Sequence, residues 1–205
     1  MAFLTEREKQ QIAAAIAAAE RKTQGELVTV ITPCSDAYRH IPFLWAALLA
    51  LLVPGVLSLF ENPLPGDLAY LAQICTFLGA AALFNWSPLK MRLIPGDVKR
   101  LRAHRLAREQ FFLQKLHMTR ERTGVLLFVS VAERYVEIIA DQGINDVVAP
   151  DAWQSIVTGF IGRVRKRQVA EGFLTAIAAC GELLAEHFPA MDDNRNELPN
   201  RLVEL

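Results

Sequence analysis

Two long runs without a single charge dominate this chain. Ile41 to Phe60 (IPFLWAALLALLVPGVLSLF) holds 20 residues and Leu68 to Leu89 (LAYLAQICTFLGAAALFNWSPL) holds 22. At about 1.5 Å per helical residue, each run is roughly 30 Å long, one hydrocarbon core thick. Glu61-Asn62-Pro63-Leu64-Pro65-Gly66-Asp67 separates them, and its two prolines and glycine predict a tight connector. The pattern therefore predicts an antiparallel transmembrane hairpin, with spans at 41–60 and 68–89. Uncharged runs of this length are rare in soluble cores, so a pair of buried helices is the weaker alternative. A signal peptide fits less well still. The first 40 residues carry charge and open on a helical pattern, not on a short basic stretch and an apolar run.

The flanks predict the orientation. Arg39 precedes the first span, and Lys90, Arg92, Lys99, Arg100 and Arg102 follow the second, while the connector has no Lys or Arg. The positive-inside rule places both flanks in the cytoplasm and the connector outside. Trp45 and Trp86 fall at the inner ends, where indoles favour the interface. Pro54-Gly55 predicts a kink in the first span.

The remaining sequence reads as one α/β unit. Leu4 to Thr23 is a predicted helix, opened by a capping box at Thr5-Glu6-Arg7-Glu8, with Ile12, Ile16 and Ala19 on one face. Glu26 to Thr32 (ELVTVIT) has the composition of a strand covered on both sides. Pro95-Gly96-Asp97 starts a helix expected to reach about Thr119, with Ala103, Ala107, Phe111, Gln114 and Met118 on one side. Val125–Val131 and Tyr135–Ala140 read as strands, and Ala132-Glu133-Arg134 is short enough to close a hairpin. Asp141 to Asp146 reads as a loop. A helix follows from Pro150, with Trp153, Ile156, Val157, Phe160 and Val164 as its apolar stripe. A last helix, about Val169 to His187, buries Phe173, Ile177, Cys180 and Leu184.

Removing 41–89 leaves 156 residues, ample for one core. The piece before the spans offers one helix and one strand, and a lone strand cannot satisfy its edges. The expected organisation is thus a discontinuous domain, 1–40 with 90–188, interrupted by the hairpin at 41–89 and followed by a polar tail at 189–205, expected to be loose, although its ELPNRLVEL stretch could dock or add a short turn.

These residues resemble a known family. The resemblance rests on a helix followed by Thr23-Gln24-Gly25-Glu26-Leu27-Val28, on Arg122-Thr123-Gly124-Val125-Leu126-Leu127-Phe128-Val129-Ser130, on Glu133-Arg134-Tyr135-Val136-Glu137-Ile138, and on the Gly143 loop. Together they look like a TPM domain, in the bacterial membrane-protein branch with two inserted transmembrane helices. The resemblance implies a three-layer α/β/α sandwich with a small central sheet. It also implies a bacterial inner-membrane location. Some members of the family are described as acid phosphatases or calcium binders, others as accessory proteins in photosystem repair or in receptor and respiratory-complex assembly. Where many relatives read roughly Gly-x-Gly-Leu-Glu at the third strand's exit, this chain has Ala140-Asp141-Gln142-Gly143-Ile144-Asn145-Asp146, with one glycine fewer. Many relatives also carry the domain outside the cytoplasm, the reverse of the charge bias here.

The acidic candidates for a metal site are Asp36, Asp141 and Asp146, with calcium as the implied ion. Asp36 follows the first strand and Asp141 the third, and strand ends in α/β sheets commonly converge on a ligand crevice. Hard cations take several oxygen ligands, which clustered carboxylates supply. The competing reading is that these are turn or helix-capping aspartates. Glu26 and Glu137 suit structural pairing with a base on a sheet face. The histidines (His40, His104, His117, His187) have no zinc-ligand spacing, no G-x-S-x-G occurs, and Cys34, Cys75 and Cys180 read as reduced thiols.

From Lys90 to Arg108 seven basic residues stand against one acid, Asp97. Lys90, Arg92, Lys99, Arg100 and Arg102 are the expected membrane-surface contacts, each contributing roughly 1 kcal/mol near anionic headgroups. Arg163, Arg165, Lys166 and Arg167 suit a helix C-terminus. With 22 basic and 22 acidic residues the net charge is +0, and no aromatics interleave the basic strip, which argues against nucleic acid.

Three functions follow in order of preference. The first is a membrane-anchored accessory or interaction module, which needs no catalytic constellation and whose partners are the bilayer and integral membrane proteins. The second is a metal-assisted, phosphatase-like hydrolase, which needs Asp36 and Asp141 within about 4–6 Å of each other to share an ion. The third, a small channel or transporter, ranks last because neither span contains an ionisable residue.

Overall fold

The computed structural model describes residues 3–59, 65–191 and 196–205. The chain divides into two compact units, Met1–Ser35 with Arg102–Leu205, and Asp36–Leu101.

The first unit is built on strand β1 (Glu26–Thr32), which is buried along its whole length. It pairs in parallel with the equally buried β2 (Gly124–Ser130), from Glu26 opposite Gly124 to Thr32 opposite Ser130. A short turn then reverses the chain, and β3 (Tyr135–Ala140) runs antiparallel to β2. β4 (Leu202–Glu204) pairs in parallel with Thr29–Ile31, completing a mixed sheet of order β3-β2-β1-β4.

Alternation along the two central strands sorts their side chains onto two covered faces. Leu27, Ile31, Val125, Leu127 and Val129 pack with the apolar stripes of three helices: α1 (Glu6–Glu20), α7 (Pro150–Arg165) and α8 (Val169–His187). Val28, Val30, Leu126 and Phe128 pack on the other side with Ala103, Ala107 and Phe111 of α5 (Gly96–Leu113). The unit is therefore a three-layer α/β/α sandwich with a small central sheet, as expected. The capping box at Thr5 is formed, with the Glu8 N–H donating to Thr5 Oγ1 and Glu8 Oε2 accepting from the Thr5 N–H.

Several local expectations change. α5 stops at Leu113, short of Thr119. Lys115 takes a left-handed backbone (φ 61), and a 3-10 turn at Leu116–Met118 folds Leu116 under β2. That leaves Met118 exposed. A Cβ on Gly124 would lie 2.4 Å from the Leu116 carbonyl oxygen, so only glycine permits this approach. The loop after β3 contains a helical turn, α6 (Gln142–Asn145). The end of the tail docks, the alternative that its ELPNRLVEL stretch left open. β1 is buried and would have an open edge opposite β2, whose N–H and C=O groups need partners. β4 supplies them over Thr29–Ile31, and Thr23 bridges to Pro189. Residues 192–195 of that tail lie outside the described residues.

The second unit contains α2 (His40–Leu57) and α3 (Gly66–Phe84), packed on each other, then α4 (Ser87–Leu93) and the start of α5. The second apolar run is thus cut. Pro88 has no N–H to donate to the Phe84 carbonyl, and α3 ends at Phe84. Pro54 lies inside α2, one turn from its end, so the helix continues only to Leu57 beyond it. Phe60 and connector residues 61–64 fall outside the described residues.

α2 has mean hydropathy 2.0 and α3 1.5, and both are long enough to cross a membrane. Their large side chains face outward: Leu51 is 66% exposed, Leu52 63% and Leu78 61%. The buried residues include small Ala46 and Ala50 on α2 and Ala80 on α3, which suits close helix packing in lipid.

Candidate functional site

The starting end of β1 holds two buried carboxylates. Glu20 closes α1, and Glu26 opens β1 six residues later. Glu20 Oε1 accepts from the Leu27 N–H at 2.9 Å. Glu26 accepts from the backbone N–H groups of Glu197 (2.9 Å) and Leu198 (3.2 Å), so it ties down the tail. Glu20, Glu26, Asn200 and Arg21 line a groove of about 190 Å³. Burial pushes the Glu20 carboxyl up to about 8, and the nearby Glu26 charge adds to the shift. Burial also raises Glu26, against the two N–H donors that favour its charged form. Burial thus favours the neutral form of the Glu20 carboxyl.

Asp141 lies at this same end of the sheet. Ala140 stands opposite Val125, and the Asp141 N–H donates to the Gly124 carbonyl. Its side chain caps α6 by accepting from the Gln142 N–H at 2.7 Å and faces Arg122 at 3.4 Å. Arg122 is itself in the left-handed region (φ 54). A Cβ on Gly143 would meet the carbonyl oxygens of Glu121 and Arg122 at 2.5 and 2.9 Å, which explains the single glycine of this loop. Asp146 is exposed at the far end of α6.

The chain leaves toward Asp36 from the opposite end. Ser35, the residue before it, donates its N–H to Glu133 Oε1 (2.9 Å), and its hydroxyl bonds Ser130 Oγ (2.8 Å), beside the Thr32 end of β1. A seven-residue strand, about 20 Å, separates the two ends. Strand exits do not converge here because the β2–β3 hairpin reverses the third strand. Asp36 belongs to the second unit, where Oδ1 accepts from the Tyr38 N–H at 3.0 Å. Among the described residues, no three His, Cys, Asp or Glu side chains are grouped to hold a metal ion.

Two further constellations escape notice in the sequence. On the α5 face, His104 Nδ1 sits 2.9 Å from Glu137 Oε1, and the Tyr135 hydroxyl donates to Glu137 Oε2 at 2.9 Å. This is the base partner expected for Glu137. On the opposite face, at the Thr32 end, a cleft of about 600 Å³ is lined by Ile31, Val129, Phe160, Val164 and the side chains of Arg134 and Arg165. Arg134 follows from the hairpin turn and Arg165 from the end of α7, 31 residues apart in sequence. Glu20 carried one faint signal, since an acid in a helix's last turn opposes the macrodipole.

The membrane-surface candidates divide between two helices. Lys90 and Arg92 occupy the last turn of α4, with Lys90 Nζ donating to the Ala37 carbonyl, and Lys99, Arg100 and Arg102 lie on α5. Cys34, Cys75 and Cys180 are free thiols, and burial pushes Cys180 up to about 12.

A mixed four-stranded sheet between helical layers, with an apolar helical hairpin inserted between β1 and α5, defines the architectural class. A family model described as the TPM domain matches residues 96–183, from the first residue of α5 into α8. The chain's fold is similar to the NMR structure of BA42 protein from the psychrophilic bacterium Bizionia argentinensis, at TM-score 0.64 and 22% identity, covering 100% of this chain and 97% of that one. No curated protein sequence matches the chain.

Proposed function

We propose that this TPM-domain protein is anchored in a bilayer by α2 and α3 and serves as an accessory or interaction module for membrane proteins. The observation that carries the reading is the outward-facing apolar surface of the two helices, only 22% and 11% buried over their most apolar windows. A soluble protein rarely leaves a contiguous apolar patch of this kind to water. The flanking charges support an orientation with the sandwich and both termini cytoplasmic. Arg39 lies before α2, and Lys90, Arg92, Lys99, Arg100 and Arg102 follow α3. The same basic residues suit contact with anionic headgroups. The hydrolase reading is less well supported, because it groups Asp36 with Asp141 and their strand ends lie about 20 Å apart along the sheet.

The test is fractionation followed by topology mapping. The full chain is expected to float with membranes and to resist carbonate extraction. A reporter fused after Leu205 and one inserted in the 61–67 connector should report opposite sides. A monodisperse, folded chain in the detergent-free supernatant refutes the anchor, and matching reporters refute the hairpin. Crosslinking and pull-down from native membranes then identifies the partners.

A further inference from the structure

We infer that the cleft at the Thr32 end of the sheet binds one acidic membrane lipid, with an acyl chain inside and the headgroup phosphate at Arg134 and Arg165. The inference rests on the membrane-anchored reading above. Two observations carry it.

The first is chemical complementarity. The cleft, of about 600 Å³, falls in the range of small-ligand sites, and its interior is aliphatic and aromatic: Ile31, Val129, Phe160 and Val164. Among the described residues, Arg134 and Arg165 are the charged residues that line it, and no acid does. Both arginines are exposed, and neither has an acidic partner among the described residues. A guanidinium presents a planar donor fork that fits a phosphate. An apolar site under two free cations matches an amphiphile of negative head and alkyl tail.

The second is position in the chain. Ser130 of the cleft wall bonds Ser35, the last residue before the segment that carries the apolar hairpin. Arg134 is held in the hairpin turn with a left-handed backbone (φ 53).

The test uses the full chain in phosphatidylcholine nanodiscs containing 10 mol% of a photoactivatable probe lipid, about that fraction being ample for a surface-potential effect. The probe has a diazirine in its acyl chain and either a phosphatidylglycerol or a phosphatidylcholine head. Adducts are mapped by mass spectrometry. The phosphatidylglycerol probe is expected to label residues 129–136 and 160–169 about thirtyfold more than its phosphatidylcholine counterpart, the ratio for two phosphate-directed charges. R134E/R165E should abolish that excess, and the milder R134Q/R165Q should reduce it, while labelling of 40–57 and 66–84 stays unchanged as the internal control. Equal cleft labelling by the two probes overturns the inference, as does a labelled hairpin with an unlabelled cleft, and in both cases the anchored reading survives. A chain labelled in neither region overturns both.

Discussion

Glu20→Gln keeps the shape of a protonated carboxyl and removes its ability to ionise. In the folded protein Glu20 is 7% exposed and burial holds its pKa at about 8, against an ordinary 4.5. Between those values the native state keeps a proton that the unfolded chain has released. Stability therefore falls as pH rises through this window, with no loss below about 4.5 and the full loss above about 8. At about 1.4 kcal/mol per pH unit, the cost reaches roughly 3 kcal/mol at pH 7 and 4 kcal/mol at pH 8. Glutamine escapes it and still offers Leu27 a carbonyl acceptor. For a chain of this size about 3 kcal/mol corresponds to some 6–12 °C in melting temperature. Circular-dichroism melts of the full chain in neutral detergent should show E20Q above wild type by that margin at pH 7, with the two coinciding at pH 4. A difference that is the same at both pH values, or a variant less stable at pH 8, refutes the assignment of a buried, proton-holding carboxyl.

Other expectations follow from the packing. Gly124→Ala forces a Cβ to 2.4 Å from the Leu116 carbonyl and should cost on the order of 3 kcal/mol, while Gly159→Ala, with open space around it on α7, should gain up to about 1 kcal/mol; paired melts separate them. Deleting residues 201–205 strips β4 from β1 and removes the Lys9–Glu204 ion pair. Losing a few hydrogen bonds there should lower stability by about 2–4 kcal/mol, read as a shift in the melting midpoint. Leu49→Arg near the middle of α2 should cost about 2.5–3.5 kcal/mol of insertion relative to an apolar residue, lowering the carbonate-resistant fraction that Leu49→Ala leaves intact.

Local sequence alone determined the elements. Period-3.6 stripes and period-2 runs depend on neighbours along the chain, so the long helices, the three long strands, the capping box at Thr5 and the two apolar runs were readable before any packing was known. The covering of β1 on both faces was legible too, because ELVTVIT has no solvent side. The break at Phe84 was written in Pro88, and the reversal that separates the exits of β1 and β3 was implicit in the hairpin.

Tertiary structure decided what depends on residues far apart in sequence. Leu202–Glu204 is too short to announce a strand, and only the open edge of β1 makes it one. Glu20 is an ordinary helix glutamate until Leu27, Glu26 and the returning tail enclose it and shift its proton affinity. Arg134 and Arg165 meet over one cleft only because β3 and α7 pack together. Burial and long-range proximity are properties of the assembled sandwich, and they set the charge state and the ligand chemistry that no local pattern encodes.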